Sequence, residues 1–183
     1  MKYFKYRDDE SGIENATTYV EEEDGGEIRR LTFNGTTYLA SNMIGPDGHL
    51  NISDTGVEYE KWVNEEVGIE GGVVRITKEE FDTVWLSYLA TRQSEWIRAK
   101  LIYHVGMSVI GVTNRYLPKG EIIELGNGVL GLIPSAHRPR FINSQDQLTT
   151  IVKGYDEENQ WIILEYAWMT PLKKGVFYKI NLF

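Results

Sequence analysis

Residues 106–166 constrain the fold more than any other stretch of the chain. Five short runs of β-favouring residues lie there, at 107–116, 121–125, 129–133, 148–153 and 161–166. The first three are separated by Leu-Pro-Lys-Gly and Gly-Asn-Gly. Glycine adopts the positive φ that tight turns need, and asparagine tolerates it. Short strands with turn signals between them predict a small β-barrel or sandwich.

Three pieces of this stretch, in order and spacing, resemble an S1-type OB-fold domain. They are Gly-Met-Ser-Val-Ile-Gly-Val at 106–112, Gly-Glu-Ile-Ile-Glu-Leu-Gly-Asn-Gly-Val-Leu-Gly-Leu-Ile at 120–133, and Tyr-Asp-Glu-Glu-Asn-Gln-Trp-Ile-Ile-Leu at 155–164. The resemblance covers the segment 104–168, while the first 103 residues resemble no family that we recognise. It implies a five-stranded barrel that binds RNA or single-stranded nucleic acid.

Three positions depart from the S1 pattern. Where S1 domains carry an aromatic residue before the second strand, another inside it and a histidine after the third strand, this chain has Lys119, Ile122 and Pro134. Base stacking needs a flat π surface and contributes about 1–3 kcal/mol per base. Lys119 can meet a phosphate, but Ile122 and Pro134 supply no stacking surface. The resemblance therefore implies the fold more strongly than RNA binding.

The charge of the chain divides it into two parts. The net charge is −8, and residues 1–100 contain 20 acidic and 11 basic side chains, whereas residues 101–183 contain 7 and 8. An acidic first part joined to a near-neutral second part suggests two surfaces with different partners. The acidic run 21–24 is either a docking surface for a basic protein partner or, as we favour, a solvated hairpin end.

Local patterns extend the fold prediction to the whole chain. Strands are expected at 2–7, 17–22 and 27–33, with a two-residue hairpin turn at Asn34-Gly35 because both residues tolerate positive φ. Thr77 is expected to cap a helix over 77–92 whose apolar stripe of Phe81, Val84, Trp85, Tyr88 and Leu89 faces the core. The prediction is a mostly β (α+β) protein: an N-terminal antiparallel sheet with one amphipathic helix (1–103), followed by a five-stranded S1-like OB barrel with a C-terminal strand (104–183).

Little in the sequence points to catalysis or to a cofactor. There is no cysteine, the three histidines lack metal-ligand spacing, and no phosphate-binding loop or nucleophile elbow is present. Residues 42–72 place oxygen-bearing side chains in the register of a calcium loop, but Ile52 stands where the turn needs glycine. We expect a polar loop there, no metal, no cofactor and no enzyme.

Binding residues are predicted on the loops that border the barrel. Arg138 and Arg140, beside His137, lie in the segment after the third strand, and Arg115, Tyr116 and Lys119 surround the first turn. Arginine and lysine form charge-assisted bonds to phosphate, and a tyrosine ring stacks on a base. On the alternative interpretation, Tyr116 is core and the arginines pair with the acidic part.

Two functions remain open from the sequence. The first is a small cytosolic protein that binds RNA or single-stranded nucleic acid in an accessory role through those six residues. The second is a protein-interaction module, of the immunity or adaptor type, whose barrel has lost nucleic-acid binding. No apolar run approaches the ~18–20 residues of a membrane span, and the N-terminus has no apolar signal core, so we expect a cytoplasmic protein without a membrane partner.

Overall fold

The computed structural model describes residues 1–8, 11–46, 48–52, 58–64, 72–137 and 147–167. The strands in chain order are β1 (Lys2–Arg7), β2 (Thr17–Glu23), β3 (Gly26–Phe33), β4 (Tyr38–Ala40), β5 (Val73–Arg75), β6 (Ser108–Leu117), β7 (Gly120–Gly126), β8 (Val129–Pro134), β9 (Gln147–Asp156) and β10 (Trp161–Tyr166). The helices are α1 (Tyr59–Asn64), α2 (Lys78–Thr91) and α3 (Gln93–Ile102). The prediction of a mostly β protein with a sheet followed by a barrel is confirmed.

The N-terminal strands form one antiparallel sheet in the order β4-β3-β2-β1-β5. Because strand side chains alternate between faces, Tyr3 packs with α2 on one side while Phe4 packs with α1 on the other. Thr77 accepts a hydrogen bond from the backbone amide of Glu80 and caps α2. The apolar stripe of α2 is buried against the sheet, as the sequence predicted.

The turn between β3 and β4 differs from the predicted two-residue hairpin. Phe33 pairs with Tyr38, so four residues form the connection. The Asn34 side-chain oxygen accepts hydrogen bonds from the backbone amides of Thr36, at 3.2 Å, and Thr37, at 3.0 Å. The prediction was wrong because the asparagine satisfies the amides of a longer loop with its side chain instead of adopting positive φ in a tight turn.

The acidic run 21–24 is a solvated hairpin end only in its second half, where Glu23 and Asp24 are exposed. Glu21 and Glu22 are buried, and a Glu21 carboxylate oxygen lies 2.5 Å from the Nε of Arg29. The hydroxyl of Tyr3 donates to the other oxygen of Glu21 at 3.1 Å. A buried charge needs a partner and hydrogen bonds. The Glu21 carboxylate has both, and it thereby links β2 to its neighbours in the sheet.

The C-terminal strands close a barrel in the order β10-β8-β7-β6-β9. The pairing of β10 with β8 is parallel, and the other pairs in the barrel are antiparallel. Inward side chains such as Ile123, Ile133 and Leu164 form the interior, and α3 packs Trp96 and Ala99 against the same cluster. Helix α3 thus belongs to the barrel core, and the predicted boundary at residue 103 stays a prediction. No helix in the described ranges is long and apolar enough to cross a membrane.

Candidate binding face of the barrel

The outer face of β7, β8 and β10 is apolar. Along each strand, the residues of this face alternate with residues that point into the barrel. They are Ile122, Leu130, Leu132, Trp161 and Ile163. In OB barrels, oligonucleotides bind over the second and third strands and beside the first-to-second and fourth-to-fifth strand loops. Here those strands are β7 and β8, so this apolar surface, which we call the β7–β8 face, occupies the corresponding place.

A segment of the N-terminal part covers the β7–β8 face. Leu50 and Ile52 pack directly on it and are only 3% and 5% exposed, and Ile44 contacts the same cluster. Burial of an aliphatic side chain contributes about 1.5–3 kcal/mol. Leu50 and Ile52 therefore act as an apolar ligand of the barrel that the chain itself supplies.

Arg115 on β6 binds the backbone of the same segment. A bulge between Thr113 and Arg115 brings Arg115 opposite Ile122. The Arg115 guanidinium donates to the carbonyl oxygens of Leu50, at 3.2 Å, and Ile52, at 2.5 Å. Hydrogen bonds from a charged donor contribute about 1.5–3 kcal/mol. Segment 48–52 is thus bound both through its side chains and through its main chain.

The turn between β9 and β10 is also engaged by the N-terminal part. The Trp85 indole on α2 donates to the carbonyl of Glu158 at 2.7 Å. The Asn42 amide donates to the carbonyl of Asn159 at 2.8 Å, and the Gln160 amide donates to the carbonyl of Leu89 at 3.1 Å. This turn corresponds to the fourth loop of an OB barrel, so a second part of the usual oligonucleotide surface is in use within the chain.

Lys119 lies in the turn between β6 and β7. Its ammonium is 4.2 Å from the ring centroid of Trp161, which is fully buried. Burial lowers the pKa of Lys119 to about 8 from the ordinary 10.5. Among the described residues, this ammonium has no carboxylate partner, and its contact is the face of the indole ring.

The structure brings together some of the predicted binding residues. Arg115 and Tyr116 lie near the end of β6, which runs to Leu117, and Lys119 follows in the turn. The carbonyl of Lys119 accepts from the amide of Ser135, which places the 3₁₀ turn of Ser135–His137 beside it. Arg138 and Arg140 lie outside the described residues. That these residues bind nucleic acid stays a prediction.

The sequence interpretation missed the segment that covers the face. Residues 42–72 were expected to form a polar loop, and Leu50 and Ile52 are isolated apolar residues among polar ones. Their i, i+2 spacing would put both side chains on one side of a strand, but the chain turns at Asn51, where the Ile52 amide donates to the Leu50 carbonyl at 2.9 Å. No group of metal-ligating side chains is present in the described parts of the calcium-loop register or elsewhere in the described residues.

Comparisons with known proteins assign the chain to no family. No protein-family model matches the chain, and no curated protein matches it. Among solved structures, the chain is similar to an uncharacterized protein, MJ1198, from Methanocaldococcus jannaschii, with 21% identity and a TM-score of 0.32. The match covers 36% of this chain and 95% of the other. On its own strand order, the C-terminal part is a closed five-stranded barrel of the OB-like kind.

Proposed function

We propose that this chain is a protein-interaction module whose barrel recognises polypeptide where an OB barrel would recognise an oligonucleotide. The observation that carries the proposal is segment 48–52 seated on the β7–β8 face. Leu50 and Ile52 fill the apolar surface while Arg115 binds their carbonyl groups. Apolar anchors together with hydrogen bonds to the main chain are elements of peptide recognition. The bound segment is compact, since the Ile52 amide donates to the Leu50 carbonyl at 2.9 Å across Asn51.

The chemistry of the face favours a peptide over a nucleic acid. Its aromatic member, Trp161, is fully buried in one cluster with Leu50 and Ile52, so with segment 48–52 in place it offers no ring to a base. Ile122 is also fully buried and has no π surface. The remaining side chains are aliphatic, and an aliphatic surface gains free energy from apolar side chains rather than from a charged sugar-phosphate backbone.

Binding of RNA or single-stranded nucleic acid is the second candidate. Two observations favour it: the OB-like strand order and the ammonium of Lys119 on a loop that borders the face. The contacts would come from Arg115, Tyr116, Lys119, His137, Arg138 and Arg140. On this candidate, segment 48–52 would have to leave the face or the nucleic acid would have to bind beside it.

Peptide exchange in trans tests the leading proposal. A fluorescent peptide with the sequence of residues 41–52 is titrated into wild type and into the double variant Leu50→Ala/Ile52→Ala. We expect the peptide to bind the variant saturably and wild type at least ten-fold more weakly, because in wild type the face is filled. A peptide of scrambled sequence and the exposed-site variant Ile110→Ala/Val112→Ala are the controls. Equal binding of the two peptides to the double variant would refute polypeptide recognition by this face.

A second titration separates the two candidates. Labelled mixed-sequence single-stranded RNA is added to wild type and to the double variant at low and moderate salt, with anisotropy as the readout. We expect no saturable binding to either protein. Binding that weakens as salt rises, through counterion release, would favour the nucleic-acid candidate. If it appeared in the double variant alone, the face itself would be the nucleic-acid site.

A further inference from the structure

Two side chains of β6 bind alternate carbonyl groups of the segment that covers the β7–β8 face. The Asn114 amide donates to the carbonyl of Gly48 at 3.3 Å. The Arg115 guanidinium donates to the carbonyls of Leu50 and Ile52. Carbonyl groups of the main chain are common to all polypeptides, so these bonds do not select a sequence. Selection has to come from the side chains of whatever segment is bound.

Two buried polar atoms of this region have no hydrogen-bond partner among the described residues. One is the indole N–H of Trp161, which is fully buried in one cluster with Leu50 and Ile52. The other is the side-chain oxygen of Asn114, although the nitrogen of the same amide binds Gly48. Nearly all buried donors and acceptors in proteins are paired, and an unpaired one destabilises the state in which it is buried. The covering segment therefore matches the apolar surface but not the polar atoms around it.

A cation lies beside the unpaired indole. The ammonium of Lys119 is 4.2 Å from the ring centroid of Trp161, and in the described ranges no carboxylate lies within 4.0 Å of it. Each of the six other described lysines has a carboxylate within that distance. A carboxylate placed at this point would accept from the indole N–H and pair with the ammonium, and charge-assisted hydrogen bonds of this kind are the strong ones. The unpaired groups beside the covering segment thus call for an acidic side chain.

We propose, on the basis of the function proposed above, that the β7–β8 face binds an acidic loop of a different polypeptide. The loop carries two apolar residues at i and i+2, as the covering segment does, and a carboxylate that meets Trp161 and Lys119. It is turned rather than extended, since the Ile52 amide donates to the Leu50 carbonyl at 2.9 Å. Such a loop makes the contacts of the covering segment and adds those that the segment lacks. A second copy of this chain would bring the same segment and leave the same atoms unpaired.

A scan of substituted peptides tests the proposal. Fluorescent peptides with the sequence of residues 41–52, each with one glutamate, glutamine or lysine at a position other than 50 and 52, are titrated into the full chain bearing Leu50→Ala/Ile52→Ala. We expect glutamate at one position at least to tighten binding about ten-fold over the unsubstituted peptide, or by about 1.4 kcal/mol. Glutamine there should gain less, and lysine nothing. The net charge of −8 disfavours an acidic peptide, so the gain reports a local contact.

Further variants in the same background assign the contact. The gain from glutamate should vanish with Lys119→Met, whereas Lys153→Met, at an exposed lysine of β9, should preserve it. Trp161→Phe should reduce the gain, because it deletes the indole N–H and keeps an aromatic ring. Nuclear magnetic resonance checks the same bond without a change in the core. The indole proton of Trp161 should move further downfield with the glutamate peptide than with the unsubstituted one.

The outcomes separate this inference from the function on which it rests. If the unsubstituted peptide fails to bind, the proposed function falls and this inference falls with it. If that peptide binds and no glutamate position improves on it, polypeptide recognition stands and the acidic partner is refuted. The same refutation follows if the unsubstituted peptide binds most tightly of all, because the best occupant is then the chain's own segment, in the same molecule or in a second copy. A gain that survives Lys119→Met also contradicts the proposal.

Discussion

Truncation of the two residues that cover the β7–β8 face is the most direct test of the structure. Leu50 and Ile52 are 3% and 5% exposed, so each substitution by alanine removes a nearly complete apolar burial. Leucine or isoleucine to alanine in a core costs about 2–5 kcal/mol. Segment 48–52 lies on the outside of the barrel and can relax, so we expect the lower end, about 2–3 kcal/mol for each variant.

The matched control is Ile110→Ala on β6. Ile110 has a similar side chain but is 52% exposed on the outside of the same barrel. Its truncation should cost less than about 0.5 kcal/mol, because surface substitutions away from packed contacts are nearly neutral. Because the two covering residues share one surface, the double variant should lose less than the sum of the single losses.

Urea denaturation followed by circular dichroism gives the free energy of unfolding of each variant. Each kcal/mol lost should also lower the melting temperature by about 2–4 °C for a chain of this size. The reasoning would be refuted if Leu50→Ala and Ile52→Ala were both as mild as Ile110→Ala. That result would mean that segment 48–52 contributes nothing to the fold and that the β7–β8 face is open in solution.

Three other substitutions test separate features. The free energy of unfolding should rise by up to about 1 kcal/mol from pH 7 to pH 9 because of Lys119, whose folded pKa is about 8. Between that pH and the ordinary pKa of 10.5, the unfolded chain binds more protons than the folded one. Urea titrations at the two pH values should show that Lys119→Met lacks this rise. Gly120→Ala should cost more than about 1 kcal/mol, since a Cβ there would collide with the carbonyl of Ile133, whereas Gly154→Ala, with open space, should be nearly neutral by the same assay. Thr77→Ala should lower the thermal stability by about 0.5–2 kcal/mol through loss of the α2 cap.

The strands of the barrel were predictable because their signals are local. The predicted run 161–166 coincides with β10, and 129–133 falls one residue short of β8. Gly120, Asn127 and Gly128 have the positive φ expected at these turns. Turns of this kind depend on the residue types at a few consecutive positions, so they can be predicted from a single sequence.

The cover of the β7–β8 face was not predictable in the same way. Leu50 and Ile52 lie about 70 to 110 residues before the strands that they cover, and nothing near them in the sequence indicates a strand or a helix. The buried state of Glu21 was missed for a related reason. Its partner Arg29 faces it across the β2–β3 pair, and periodicity alone does not distinguish a paired carboxylate from a solvated one.

The departures of this barrel from the S1 pattern have a physical explanation in its cover. An aromatic ring at the position of Ile122 would give a base a surface on which to stack. Here Ile122 is fully buried in one cluster with Leu50 and Ile52, and an aliphatic side chain packs against aliphatic neighbours without the strain that a larger ring would bring. The ammonium of Lys119 lies over the ring of Trp161, which belongs to the same cluster. Two of the three residues that depart from the S1 pattern, Ile122 and Lys119, therefore belong to or contact the cluster that Leu50 and Ile52 complete.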